Sequence, residues 1–455
     1  MRRRSARHSV RLLSGVKGET VLLWVALDFR CWSGRDPLVT MAFMNADSAF
    51  LARLRSHVNR QRLVETARRL IEVPSRTGEA GAVSDRLAEI LQAEGFRIER
   101  PAAGYPQSPA VVVRFESGRP GPTLQFDGHL DTVHLPFTPP AIDDGRLTGS
   151  GASDMKAGVA AAVEAVRALR DAGGLFAGSV LLTAHDLHEA PWGDGRQLDQ
   201  MIREGIHGDA VLIPEPIRDV LPIAGRGAAT WKVVIRRPGA PVHEVMRPSQ
   251  EPSVLAAGAC LVARLGQIDS ELAGTPHPVC GAASVFIGQF HGGEIYNQYP
   301  QSAWLEGTRR WLPGTDPSSV ERDFRAGLAD LAAETRTTID CEWKFIRDSF
   351  ALDPADTLVA AFQRCYQATS GGQPLPTGPK PFVDDGNSFY ANAGVPSITH
   401  GPRAGGQHTI SEWVEIDDLV RIAWLYAAIA TEYCQTVPPH PRPPPRGGRG
   451  LSNVT

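Results

Sequence analysis

The sequence predicts an α/β fold, a mixed sheet with helices on both faces, into which a smaller ferredoxin-like α+β unit is inserted. Three observations carry that expectation. Short apolar, strand-like runs alternate with helical stretches as far as Ile213. Between Ala228 and Ile346 the order becomes strand, helix, strand, strand, helix, strand, the βαββαβ pattern of a ferredoxin-like unit. The α/β alternation then resumes, and a chain of 455 residues exceeds one ordinary core.

Phe50, Leu51, Leu54, Val58, Leu63, Val64, Ala67, Leu70 and Ile71 space a buried helical stripe beginning near Asp47. A helix over 83–95 closes on Gly95 and is followed by strands at 110–115 and 123–126. Then come a small-residue helix at 157–172, a strand at 179–184, a helix near 197–204 and a strand at 210–213. The inserted unit reads as strand 230–236, helix 252–265, strands 283–290 and 303–309, helix 318–334 and strand 337–345. A helix at 356–368, a strand at 397–400 and a helix at 416–431 complete the pattern. The expected organisation is a discontinuous domain over 44–227 and 347–436, with the insertion at 228–346. Residues 1–43 read as a disordered upstream extension, with Met41 or Met44 as the natural start, and the Pro/Gly-rich tail 437–455 as disordered.

A hydrophobic share of 42% with 21% charged residues suits a soluble globular protein. The net charge of −3 offers no field for nucleic acid. Six scattered cysteines without CxxC spacing read as reduced cytosolic thiols, so a cytoplasmic location is expected. No apolar run reaches the roughly 20 residues of a membrane span. The run Val21–Leu27 follows Arg2, Arg3, Arg4, Arg7 and Arg11 as in a signal peptide, but it is short, meets Asp28 and lacks a small-residue cleavage site.

Two segments carry the chemistry. In Gly128-His129-Leu130-Asp131-Thr132-Val133 a histidine ends a buried strand, and Asp131 lies two residues on, where its carboxylate could take the second ring N–H and fix the tautomer of a metal-bound imidazole. In Gly149-Ser150-Gly151-Ala152-Ser153-Asp154-Met155-Lys156 a glycine-rich turn opens a helix, and Asp154 there is either a carboxylate bridging two cations or an N-cap.

Together with later motifs, these segments resemble the di-zinc amidohydrolase and exopeptidase family that includes aminoacylase, acetylornithine deacetylase, succinyl-diaminopimelate desuccinylase and carboxypeptidase G, over about Ser48 to Tyr433. The resemblance implies a zinc-exopeptidase-like catalytic domain and an inserted lid or dimerisation domain. It implies two divalent metal ions, most simply zinc, with cobalt or manganese as alternatives. It makes His129 and bridging Asp154 ligands, adds Glu215 of Leu212-Ile213-Pro214-Glu215-Pro216 beside His129, and pairs Glu189 with His408 of Gly405-Gly406-Gln407-His408-Thr409 at the second metal.

The chain departs from the family at one position. The family has two consecutive glutamates here, a general base followed by a ligand, whereas this sequence reads His185-Asp186-Leu187-His188-Glu189-Ala190-Pro191-Trp192-Gly193. Alignment on Trp192-Gly193 puts His188 at the base; counting from the strand puts Asp186 there. An imidazole, with an unperturbed pKa of about 6.5, is chemically suited to the task. By the same resemblance Asp131 belongs to the catalytic set, and His243 and Asn297 of the insertion stabilise the oxyanion, often across a dimer interface. Arg310, Asn297 and Gly401 bind substrate, Arg310 as a carboxylate clamp. Asp385-Gly386-Asn387 falls either in the pocket lining or in a turn.

The expected activity is hydrolysis of an amide in a small N-acyl amino acid, dipeptide or related carbamoyl compound by metal-bridged water, in a homodimer acting on a carboxylate-bearing small molecule. A dipeptide aminopeptidase of the same family, and a catalytically silent metal-binding homologue lacking the usual glutamate, are the alternatives.

Overall fold

The run Thr123–His129 is buried almost throughout and is flanked on both sides by parallel strands, Ser179–His185 and Ala210–Ile213. Burial on both faces explains why Val180–Leu182 and Ala210–Ile213 read as continuous apolar runs, whereas Thr123–His129 carries the buried polar residues Gln125 and Asp127, both partnered by Thr183. The computed structural model describes residues 49–190 and 193–436. The extension at 1–43 and the tail at 437–455 therefore lie outside the described residues. Across the six-stranded sheet the order is Ile98–Glu99, Val111–Glu116, Ser179–His185, Thr123–His129, Ala210–Ile213, Ser397–Thr399. The first two strands are antiparallel to their neighbours and the remaining pairs are parallel, so the sheet is mixed.

Strand periodicity divides the side chains between two faces. Val111, Val113, Val180 and Leu182 enter the main core with the helices Arg60–Ile71, Lys156–Asp171 and Ile416–Cys434. Val112 and Leu181 point the other way, into a cluster with Met201 of the helix Arg196–Arg203. Lys156–Asp171 is buried along nearly its whole length because alanines and Gly158 let its neighbours approach closely. Inside that core, Glu164 accepts from Arg62 Nη2 at 2.8 Å, Arg62 Nε at 2.9 Å and the Asn59 N–H at 2.7 Å, which neutralises a fully buried carboxylate.

The segment 227–347 forms a separate antiparallel sheet in the order Thr338–Arg347, Gly227–Arg236, Ser302–Trp311, Ser284–Gly292. Its connections run through the helices Val254–Ala273 and Pro317–Thr335, and a hydrophobic cluster including Trp231, Val233, Leu261, Leu305 and Leu331 joins helices to sheet. This is βαββαβ connectivity of ferredoxin-like order. The first helix runs two turns past the expected end at Leu265, because Gly266 is open to solvent and a single glycine costs a helix only about 1 kcal/mol.

Elements too short for periodicity to reveal also shape the site. Ala141–Asp143, Arg146–Thr148, Trp413–Glu415 and Ala404–Gly405 form a small sheet that brings the chain near residue 408 beside the glycine-rich turn. Asp385–Ala393 is a nine-residue helix, where the sequence suggested a turn or pocket lining. It starts at Asp384 with a capping box closed by Asn387, a local signal in a segment without a long apolar stripe. Among the described residues no helix is long and apolar enough to cross a membrane.

Candidate active site

The carboxyl ends of the parallel strands converge, and in open α/β sheets that edge is where ligands bind. His129 ends its strand, His188 and Glu189 follow the neighbouring one, and Glu215 lies two residues beyond Ile213. His129 Nε2 is 3.1 Å from Asp154 Oδ1 and 4.0 Å from Glu215 Oε1. On its other side, Asp154 presents Oδ2 to His408 Nε2 at 3.5 Å, and His408 Nε2 is 3.2 Å from Glu189 Oε2. The two oxygens of Asp154 thus face two separate groups of donors, the disposition of a bridging carboxylate. Its role as an N-cap is excluded, since the helix Lys156–Asp171 has Met155 at that position and no side-chain cap.

Electrostatics mark the cluster as short of positive charge. Burial, with Asp154 and Asp384 nearby, pushes the Glu215 carboxyl well above its ordinary value. Burial would lower the His129 imidazole, but Asp154, Asp131 and Glu189 outweigh it and hold the ring well above its usual range. Hydrogen bonds donated to Asp154 and Glu189 raise His408 to about 10. Glu215 Oε1 is buried without a hydrogen-bond partner. Imidazole and carboxylate donors with an orphaned oxygen among them fit divalent cations of the zinc type. His129, Asp154 and Glu189, and separately His129, His188 and Glu215, each place one donor atom within 4.8 Å of the others.

Several supports of these donors were not evident from the sequence. Glu412, itself buried, accepts from the N–H groups of Gly151 at 3.2 Å, Ser153 at 3.1 Å and Asp154 at 3.0 Å, clamping the turn that carries Asp154. A Cβ on Gly158 would lie 2.0 Å from the Pro214 carbonyl oxygen, and one on Gly401 2.4 Å from that of Glu215, so both glycines are required by close approach to the loop holding Glu215. Leu187, which immediately precedes His188, and His408, itself one of the donors, adopt left-handed φ values of 68° and 57°, unusual for residues with a Cβ.

One expectation for Asp131 is corrected. The His129 Nδ1 partner is the Asp131 backbone carbonyl at 3.0 Å, while the carboxylate stands off at 3.6 Å. That carboxylate instead accepts from the backbone N–H groups of His188 at 3.1 Å and Glu189 at 2.8 Å and from the Thr77 hydroxyl at 2.9 Å. Asp186 is likewise engaged by main chain: its oxygens accept from Gly78 at 2.9 Å, Ala80 at 3.0 Å and Leu187 at 2.6 Å. His188 enters the cluster, its Nε2 3.5 Å from Glu215 Oε1 and its ring stacked on His129 at 4.0 Å.

His243 and Asn297 are not brought to these donors. They pair with each other in the inserted unit, Asn297 Nδ2 at 3.2 Å from His243 Nε2, and half of the His243 side chain is exposed. Arg310 is half-buried on the strand Ser302–Trp311, and burial together with Arg226 lowers its pKa.

A family model described as "Peptidase family M20/M25/M40" matches residues 126–432. The succinyl-diaminopimelate desuccinylase of Methylobacterium radiotolerans is 29% identical over 391 residues, 81% of this chain and 95% of that protein. The crystal structure of aminopeptidase PepT from Bacillus cereus superposes with a TM-score of 0.70 at 19% identity, over 83% of this chain and 100% of that one. A dinuclear metal binding peptidase of the M20 family from Bacillus subtilis does so with a TM-score of 0.60 at 17% identity, over 83% and 99% respectively.

Proposed function

Because the chain belongs to peptidase family M20/M25/M40, we propose that the cluster around His129 and Asp154 cleaves the amide of a small carboxylate-bearing N-acyl amino acid or short peptide. As a family member the chain is a metal-dependent hydrolase of amide bonds. The observation that carries the finer reading is the convergence of His129, Asp154, Glu189, Glu215 and His408 about a bridging carboxylate, with a second imidazole, His188, beside them.

His129 and Glu215 would hold one cation, Glu189 and His408 the other, with Asp154 between them and zinc the metal the donor set suits best. When bound, such a pair polarises the scissile carbonyl and lowers the pKa of the attacking water. His188 takes the water's proton at Nε2 and returns it to the leaving nitrogen. Asp186 does not serve, because both of its oxygens are occupied by backbone N–H groups. Asp131 acts by fixing the main chain of His188 and Glu189 rather than by touching substrate. Gly401 lets the chain pass beside the Glu215 carbonyl, where a side chain would not fit.

Arg310 clamps the substrate carboxylate with two parallel hydrogen bonds, a use that suits a half-buried guanidinium. The names of the desuccinylase relative and of the peptidase neighbour both describe enzymes whose substrates are amides. His243 and Asn297 stabilise the oxyanion from the inserted unit, which acts as lid and dimerisation domain of a homodimer; their exposed, mutually bonded arrangement leaves them available to a neighbouring subunit. A cytoplasmic location is in keeping with the free thiols Cys260, Cys280, Cys341 and Cys434.

The decisive measurement is a substrate panel of N-succinyl, N-acetyl and N-carbamoyl amino acids with di- and tripeptides, run on zinc- and cobalt-loaded protein. One N-acyl or peptide class should be turned over. His188→Ala should lower kcat on it by about 100-fold or more while leaving two metals bound. Turnover unchanged in that variant would remove His188 from the proton transfer, and no turnover of any amide would favour a silent metal-binding protein.

A further inference from the structure

The second nitrogen of His188 is also engaged. Nδ1 is 2.8 Å from Oδ2 of Asp385, a fully buried carboxylate at the start of the helix Asp385–Ala393. Asp385 is held in turn: Arg347 Nη2 lies 3.2 Å from its Oδ1 and His185 Nε2 3.3 Å from its Oδ2. Arg347, nearly as buried, ends the strand Thr338–Arg347 of the inserted unit and also donates Nη1 to the Asp194 carbonyl at 2.7 Å. Behind it, His185 Nε2 is 3.4 Å from Asp127 Oδ2.

Glutamate and histidine make different demands as a base. A carboxylate has two equivalent oxygens and no tautomers, whereas an imidazole accepts a proton at Nε2 only when its hydrogen is on Nδ1. An acceptor-only carboxylate facing Nδ1 selects that tautomer and fixes the ring plane. The histidine that departs from the family pattern thus has beside it the group an imidazole base requires.

We propose that Asp385, clamped by Arg347, is a positioning residue that holds His188 with its proton on Nδ1 and its Nε2 turned to the metal-ligand cluster. The proposal rests on His188 being the base.

The test is a double-mutant cycle on the full-length, zinc-loaded chain with the best-cleaved amide of the panel, combined with zinc affinity measured by competition with a chelating dye. Asp385→Asn keeps the shape but can turn an N–H towards Nδ1. It should lower kcat by about 100-fold or more, leave KM and both zinc affinities within about threefold, and have no further effect in a His188→Ala background. Arg347→Lys, which keeps a cation without the planar fork, should lose about tenfold in kcat, again only when His188 is present, and gives the same decision if Asp385→Asn does not fold. If Asp385→Asn and Arg347→Lys keep full kcat while His188→Ala is inactive, the positioning role is overturned and the base assignment stands. If His188→Ala is fully active, the base assignment falls and this inference with it. Losses that add in the double mutant overturn it as well. So does weakening of one zinc site by about 10- to 100-fold in both His188→Ala and Asp385→Asn, which would make His188 a ligand and Asp385 its outer partner.

Discussion

At the scale of single residues, the site depends on groups that bind no ion themselves. Glu412 shows this most directly, since both of its oxygens are consumed by three N–H groups of the turn that carries Asp154. Glu412→Gln preserves volume but sets an amide N–H against one of these donors, and a buried donor left unmet costs roughly 1–3 kcal/mol. The expected outcome is a lower melting temperature with zinc affinity reduced by about 10- to 100-fold, read by dye competition. Unchanged affinity would mean that the turn holds Asp154 without this clamp. Glu412 was visible in the sequence only as a neighbour of His408, because its function is to receive hydrogen bonds from residues some 260 positions away.

At the scale of elements, the helix Lys156–Asp171 and the Glu215 loop meet at Gly158. A methyl group there would overlap the Pro214 carbonyl, and overpacking of this kind costs typically 1–3 kcal/mol, more than the helix propensity that alanine gains. Gly158→Ala should therefore destabilise the protein and weaken zinc binding through a displaced Glu215, measurable as a lowered melting temperature and a raised zinc dissociation constant. A neutral or stabilising result would show that the loop yields freely. The long elements at this scale were legible: the helix 157–172 and the strands 123–126, 179–184 and 210–213 are found within a few residues of where periodicity sets them. The helix Asp385–Ala393 and the small sheet beside His408 were not, because a nine-residue helix and strands of two or three residues carry too few periodic positions.

For the molecule as a whole, the acid limb of stability is expected to follow a histidine outside the site, His400. His400 is fully buried, packs edge-on against Phe362 and Tyr366, and has no hydrogen-bond partner on either ring nitrogen. Burial and the nearby Arg421 lower its pKa to about 3. An unfolded histidine titrates near 6.5, so from about pH 6.5 down to 3 the unfolded chain binds a proton that the folded chain refuses, and stability falls as pH falls. By about pH 4.5 the loss reaches roughly 3 kcal/mol. Between these pH values the melting temperature of metal-free wild-type protein should drop more steeply than that of His400→Leu. Parallel curves would show that His400 does not govern the acid limb.

The sequence by itself determined the α/β class and the βαββαβ segment, and it singled out His129, Asp154 and Glu215 as candidate donors, because periodicity and strand-end motifs are local signals carried within their own segments. Only the tertiary structure decided what those donors face. It turned Asp131 from the ring of His129 to the main chain of His188 and Glu189, occupied Asp186 with backbone N–H groups, and set Asp385 and Arg347 behind His188. Hydrogen bonds between residues far apart in the chain depend on how strands and loops pack, and no spacing in the sequence encodes them.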